Sequence, residues 1–296
     1  MTAEVQQANV FERIKVFLEM IKFSHTLFAL PFALTGALLA ARGLPSIGQI
    51  FWILLAMIGA RTAAMGLNRL IDADIDARNP RTATRAIPAG LLSKANVTLF
   101  ILVSILLLLF AAYRLNPLCL KLSPLALFFL ILYSYCKRFT SLAHVVLGIC
   151  LAGAPIGAWI AIRGDVTLAP LLLGAAVMFW VAGFDILYAL QDLEFDRQAG
   201  LHSIPVKLGV TGSLWLARGF SVVMILLLIW LSVAASLGIA FQCGIAAVAL
   251  LLIYEHWLLK DADLAKLDLA FFTMNGYVSI IIFVATAVEI FISGGA

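Results

Sequence analysis

The stretch IFWILLAMIGARTAAMGLNRLIDADIDARNPRTATR, residues 50–85, carries a single charge, Arg61, over its first eighteen positions and then turns sharply polar at Asn68. A run of that length approaches the ~20 residues that an α-helix needs to cross the hydrocarbon core of a bilayer. Asp72, Asp74 and Asp76 follow it, and Arg78, Arg81 and Arg85 follow them. A span that ends in acids and then bases is the feature from which the rest of the chain can be read.

The whole chain has the same character. Of its 296 residues 64% are hydrophobic and 12% are charged, with a mean hydropathy of +1.07. Soluble domains carry about 25% charged residues, so this composition excludes them. Apolar stretches run over about 22–41, 49–67, 97–115, 118–135, 144–162, 169–189, 214–236, 239–258 and 270–292. The expected architecture is an all-α polytopic membrane protein with about nine transmembrane helices, forming one integral-membrane domain over residues 1–296. Asn116-Pro117 marks the break between the third and fourth spans, since proline either ends a helix or kinks one. Phe11, Ile14, Leu18 and Ile21 recur at helical spacing, which makes residues 1–20 either an interfacial helix on the membrane surface or a plain leader into the first span.

Fifteen of the 20 Lys and Arg residues fall on the N-terminal side of these spans, whereas Arg42, Arg114, Lys121 and Arg163 fall on the other and Arg61 lies within a span. By the positive-inside rule the N-terminus and the polar loops face the cytoplasm, in the inner (cytoplasmic) membrane of the cell. The formal charge of +4 reflects this bias and requires no nucleic-acid partner. The four cysteines and four histidines are dispersed without metal-ligand spacing, so zinc and haem sites have no support.

A second acidic segment, DILYALQDLEFD at 185–196, ends the sixth span as the first ends the second. Asn68, Asp72 and Asp76 are four residues apart, as are Tyr188, Asp192 and Asp196, so each set shares one helix face. Acids at such spacing solvate or cap helix ends when they occur singly. Here the two segments hold seven of the sixteen acidic residues. Like charges four apart destabilise a bare helix, so a positive partner is expected. Oxygen ligands without His or Cys suit Mg²⁺, held by a few carboxylates and by ligand phosphates. Arg81 and Arg85 either set topology or clamp those phosphates. Lys137 and Arg138 present the same choice. Arg61, two turns below Asn68, needs an anionic partner: Asp185, or a carboxylate brought by a substrate. Asn275 and Tyr277 in the last span suit interhelical hydrogen bonding.

The segments NRLIDADIDARNPRTATRAIPAG at 68–90 and DILYALQDLEFDRQAGLHSIPVKLG at 185–209, with Tyr133-x-x-x-Lys137, resemble the paired signatures of the UbiA superfamily of intramembrane prenyltransferases, and within it the 4-hydroxybenzoate polyprenyltransferase-like branch. The resemblance covers nearly the whole chain. It implies Mg²⁺-dependent transfer of a polyprenyl chain from its diphosphate to an aromatic acceptor, in ubiquinone or menaquinone synthesis. Asp72, Asp76, Asp192 and Asp196 become the metal ligands, and Asn68, Tyr133 and Tyr188 become substrate contacts. Arg69 stands where many members carry Asp, which leaves Asp72 and Asp76 as the principal ligands of the first motif. Asp185 either positions the phenol and takes its proton or binds a second metal. Related members acting on haem, chlorophyllide or glycerol phosphates share the motif. A transporter or lipid-binding protein would also place charges in spans, without accounting for two acid clusters and adjoining arginines.

Overall fold

The computed structural model describes residues 10–20, 29–259 and 274–293, and every described regular element is helical. Helix α1 is Val10–Met20, α2 Ala29–Ala41, α3 Ile47–Ile71, α4 the single turn Ala73–Asp76, α5 Lys94–Leu115, α6 Pro117–Cys136, α7 Ala143–Arg163, α8 Leu168–Tyr188, α9 Leu193–Gln198, α10 Ile204–Ala234, α11 Ile239–Leu258 and α12 Asn275–Ser293. Eight of these are long and apolar enough to cross a membrane, and α2 adds a shorter apolar helix. The expected first span began at about residue 22, so its opening lies outside the described residues.

Individual residues explain where the helices stop. Asn116 ends α5 and begins α6: its Oδ1 accepts from the N–H groups of Leu118 (3.0 Å) and Cys119 (2.9 Å), and its Nδ2 donates to the Ile160 carbonyl of α7 at 2.7 Å. Pro117 then occupies the first turn, where the missing N–H costs nothing. The Asn-Pro pair therefore separates two spans. Ser203 caps α10 by accepting from Val206 N–H at 3.3 Å. Within α10, Gly209 adopts φ 69° and ψ −176°, a conformation open essentially to glycine alone, which turns the loop-side segment into the span.

Small residues set the helix spacing, as they do where packing rather than water drives association. A Cβ on Gly36 would stand 2.4 Å from the Pro155 carbonyl oxygen, and one on Gly59 2.8 Å from the Ser104 carbonyl oxygen, so α2 meets α7 and α3 meets α5 backbone to backbone. The packing is lopsided. On one side α2, α7, α8, α10, α11 and α12 close over a dry core built around Phe32, Trp180, Phe184, Leu228, Phe241 and Val278. Trp180 Nε1 donates to Asn275 Oδ1 at 2.8 Å there, the interhelical bond expected of Asn275, whereas Tyr277 is exposed. On the other side α3, α5, α6 and α7, with one face of α8, line a cavity of about 1160 Å³.

Helix α1 lies against the mouth of that cavity. Phe17 is buried and stacks on Phe100 of α5 with centroids 4.3 Å apart, while Ile14 and Leu18 face outward. The helix therefore has an apolar face for the protein and another for the surroundings, as an interfacial helix requires. Side chains 11 and 21 of the expected stripe, with residues 1–9, lie outside the described residues.

Candidate active site

Both acidic segments end at one end of the bundle. Helix α3 breaks at Asp72 (φ −89°, ψ 2°), but Asp72 N–H still reaches the Asn68 carbonyl at 2.9 Å and Asp76 N–H the Asp72 carbonyl at 2.8 Å. Asn68, Asp72 and Asp76 thus keep one face across the break. Asn68 Nδ2 donates to Asp72 Oδ2 at 3.0 Å. The second segment tightens into a 3₁₀ turn over Ala189–Asp192 before α9, which shifts Asp192 relative to Tyr188 from the expected helical register.

Asp72, Asp76 and Asp192 each meet a cation. Asp72, 1% exposed, receives Lys137 Nζ at 2.6 Å and Arg138 Nη1 at 3.0 Å. Asp76, 3% exposed, receives Arg85 Nη1 at 2.7 Å on Oδ1, while its Oδ2 is buried with no hydrogen-bond partner. Asp192 receives Arg81 through two nitrogens, Nε at 2.8 Å, and Asn79 Nδ2 at 2.9 Å. Arg81 also bonds the Tyr188 hydroxyl at 3.4 Å. The loop after the first segment therefore clamps the second. Arg69, the departure from the expected motif, is buried and bonds Asn68 Oδ1 at 3.3 Å.

The positive partner that the spacing of the acids calls for is supplied within the chain: Arg69, Arg81, Arg85, Lys137 and Arg138 stand among Asp72, Asp76 and Asp192. Burial opposes ionisation of Asp192, but the Arg81 bonds and charge outweigh it and hold its pKa below the ordinary carboxylate value. Asp196 goes the other way: burial and then the neighbouring Asp192 charge push it up to about 6.

The cavity begins at these groups. Asn68, Asp72, Asp76, Arg81, Arg85, Tyr133, Lys137, Asp185, Tyr188, Asp192 and Asp196 all line it, and it continues past Arg61 to Leu115, Cys119 and Ile160 at the opposite end of the bundle. Arg138 does not line it. Its guanidinium is occupied by Asp72 and by the Ile71 and Ser134 carbonyls, both at 2.8 Å, so it holds α3 to α6 instead of facing a ligand. Arg61 makes no ion pair among the described residues, and its Nε is buried and unpartnered.

Asp185, one of the partners considered for Arg61, is taken by a residue that sequence reasoning set aside. His144, 4% exposed, places Nδ1 2.7 Å from Asp185 Oδ2. His144 is therefore not isolated in space. The signal was available, because a lone ionisable residue in an apolar span marks a functional site as readily for His144 as for Arg61. Asn79, buried beneath Arg81, was likewise passed over.

The geometry is joined by similarity to known proteins. The model of the UbiA prenyltransferase family matches residues 29–277. The chain belongs to the UbiA prenyltransferase family. As a UbiA-family protein it is a transferase of prenyl groups embedded in a membrane by multiple spans. It is 29% identical over 257 residues to the 4-hydroxybenzoate octaprenyltransferase of Francisella tularensis subsp. novicida (strain U112), covering 86% of this chain and 89% of that one. The corresponding protein of Tolumonas auensis is 29% identical over 247 residues, covering 83% and 85%. A UbiA homologue from Aeropyrum pernix K1, solved in its apo form, superposes with a TM-score of 0.82 at 35% identity, covering 90% of this chain and 98% of that one. The fold is shared with a homologue from Archaeoglobus fulgidus bound to GPP and Mg²⁺, at TM-score 0.69 and 24% identity, covering 93% and 99%.

The UbiA-family cavity suits a hard cation on two counts. The buried Asp76 Oδ2 lacks any donor, and every candidate ligand is a carboxylate oxygen. Among the described residues no three His, Cys, Asp or Glu side chains converge on one point. An ion here would take one or two carboxylates and complete its shell from a bound ligand, as Mg²⁺ does with substrate phosphates.

Proposed function

We propose that the chain transfers a polyprenyl group from polyprenyl diphosphate to 4-hydroxybenzoate or a related aromatic acid, in a quinone-forming pathway at the inner membrane. One observation carries this reading: a long apolar cavity has paired carboxylates and arginines at its mouth and an unpaired arginine, Arg61, further in. Such a site offers a charged end for a diphosphate, a dry channel for an isoprenoid and a cation for a carboxylated ring. The curated relatives named for octaprenyl transfer to 4-hydroxybenzoate support the choice of donor and acceptor, and the Archaeoglobus protein bound to GPP and Mg²⁺ supports the choice of metal.

Asp72, Asp76, Asp192 and Asp196 would hold Mg²⁺, which supplies positive charge against the developing charge of the leaving pyrophosphate. Arg81 and Arg85, released from Asp192 and Asp76, turn to phosphate oxygens, for which the guanidinium fork is well shaped. Lys137 adds its ammonium from α6, and Asn68 orients Asp72. Tyr133 and Tyr188 line the cavity and offer ring faces to the allylic cation, an attraction of up to ~2 kcal/mol where water is excluded. Arg61 lies seven residues before Asn68, about 10 Å deeper along the helix, and receives the carboxylate of the acceptor. Asp185 takes the proton that the acceptor loses.

Membranes washed free of soluble protein, incubated with labelled polyprenyl diphosphate, Mg²⁺ and a panel of acceptors, test this reading. Label is expected in 4-hydroxybenzoate. Transfer to haem, chlorophyllide or a glycerol phosphate instead would replace the acceptor, and no transfer to any of them would defeat the proposed reaction.

The two arginine positions should separate kinetically. Arg61→Ala is expected to raise KM for the carboxylated acceptor ~10–100-fold, as the loss of a charge-assisted bond worth ~1.5–3 kcal/mol implies, with little change for the diphosphate. Arg85→Ala should reverse the pattern. Equal effects on both substrates in each variant would assign both arginines to structure.

The proposed orientation has its own test. With the native cysteines replaced, Ala77→Cys and Ala199→Cys should react with an impermeant thiol reagent only after the membrane is opened, while Gly295→Cys should react in intact cells. External labelling at Ala77 or Ala199 would invert the topology.

A further inference from the structure

The segment that follows α9 starts α10 at Ile204, whose backbone N–H points at His144 Nε2, 3.4 Å away. It is one of the N–H groups that a helix start leaves without an intrahelical acceptor. A backbone N–H can only donate, so Nε2 must present its lone pair and the ring proton must sit on Nδ1. Nδ1 is the nitrogen 2.7 Å from Asp185 Oδ2. The two bonds together fix one neutral tautomer, with His144 donating to the carboxylate.

We propose that His144 is a positioning residue for prenyl transfer: its Nδ1–H holds Asp185 with one oxygen occupied and the other turned to the cavity, where it accepts the acceptor's proton. The inference rests on reading the cavity as a prenyltransferase site. Asp185 lines that cavity with a side chain 19% exposed, and its Oδ1 takes no hydrogen bond from a described residue. His144 is 4% exposed and cannot serve as the base, because Nδ1 is already protonated and Nε2 is engaged by Ile204. Asp185 lies seven residues before Asp192, about 10 Å of helix rise, so it stands apart from Asp192, while Asp196 comes within electrostatic range of His144. The charged and titratable groups around the pair are Tyr133 and Lys137 of α6, Tyr188 of α8 and Asp196 of α9.

The chemistry balances without another reagent. The allylic C–O bond breaks and its electron pair leaves on pyrophosphate. A π pair of the acceptor ring forms the new C–C bond to the allylic carbon. The cationic ring then loses one proton to Asp185 Oδ1, which passes it to water. His144 neither gains nor loses a proton. Its contribution is to keep the receiving oxygen in place, since a carboxylate free to rotate would lose the alignment that makes proton transfer effective.

Four variants decide the matter: His144→Ala, His144→Asn, Asp185→Asn and the His144→Ala/Asp185→Asn pair. His144→Ala should lower kcat ~10–100-fold while the Kd for polyprenyl diphosphate, measured without acceptor, stays within about twofold. His144→Asn, whose amide N–H stands near the position of Nδ1–H, should recover most of the loss. The double variant should be no slower than Asp185→Asn alone, because a residue acting only through Asp185 has nothing left to act on. Additive losses, absence of rescue by Asn, or a parallel fall in diphosphate binding would overturn the proposal. An independent measurement covers a His144→Ala variant that fails to fold. Nitrogen NMR of ¹⁵N-histidine-labelled protein, assigned by the signal lost in His144→Asn, should show a neutral ring protonated at Nδ1, and a ring protonated at Nε2 or at both nitrogens would overturn it. Wild-type protein that transfers no prenyl chain would defeat the reaction proposed above, and the ring signal would still decide whether His144 holds Asp185.

Discussion

Asp72→Asn is expected to lower turnover at least about 10²-fold, the scale of losing a principal electrostatic stabiliser of a transition state. The side chain is 1% exposed and accepts from Asn68, Lys137 and Arg138, so it binds α3 to the start of the α6–α7 connection as well as facing the cavity. An amide of the same shape keeps the packing and removes the charge. Lys137 and Arg138 would then lose the anion they share, as would the nearby Arg69. Breaking a fully buried ion pair costs ~3–5 kcal/mol, and the cost here is smaller because Lys137 and Arg138 remain 29% and 31% exposed to solvent. Asp192→Asn should match the loss of turnover with a weaker effect on stability, since the Asp192 side chain is 19% exposed against 2% for Asp72. Kinetics and thermal unfolding of both variants in the same detergent separate the two effects. Near-normal turnover in either variant would remove that carboxylate from the reaction.

Removal of divalent cations should abolish transfer and leave the fold standing. If a metal were the sole partner of these acids, chelation would also destabilise the protein. The structure leads elsewhere, because arginines and a lysine already compensate Asp72, Asp76 and Asp192. The demand for a metal arises when a diphosphate adds its own charge and draws Arg81 and Arg85 away from their carboxylates. In EDTA the expected result is turnover reduced at least about 10²-fold, restored by Mg²⁺, with an unchanged unfolding temperature until diphosphate is added. Full activity after exhaustive chelation would end the metal assignment. A large loss of stability in EDTA alone would mean that the cations seen here do not suffice.

The sequence alone determined that the chain crosses a membrane as helices, where most of those helices lie, and that two acidic segments end spans on the same side. These features are local. An apolar run long enough for a bilayer has one stable conformation in lipid, and residues four apart on a helix share a face whatever surrounds it. Even the Asn116-Pro117 break was marked, although only the bond from Asn116 to the Ile160 carbonyl shows why it separates two spans instead of kinking one. Partner choice was not legible. Arg81 lies 111 residues from Asp192, and His144 lies 41 residues from Asp185. Nothing in spacing distinguishes an arginine that faces the cavity, such as Arg85, from one turned to backbone carbonyls, such as Arg138. Those outcomes depend on which helix faces meet when Gly36 and Gly59 let backbones close together, because charge pairing is a matter of a few ångströms fixed by packing. The same packing left one half of the bundle filled and the other hollow, and so decided that Arg61 and Asp185 would face a common space without meeting each other.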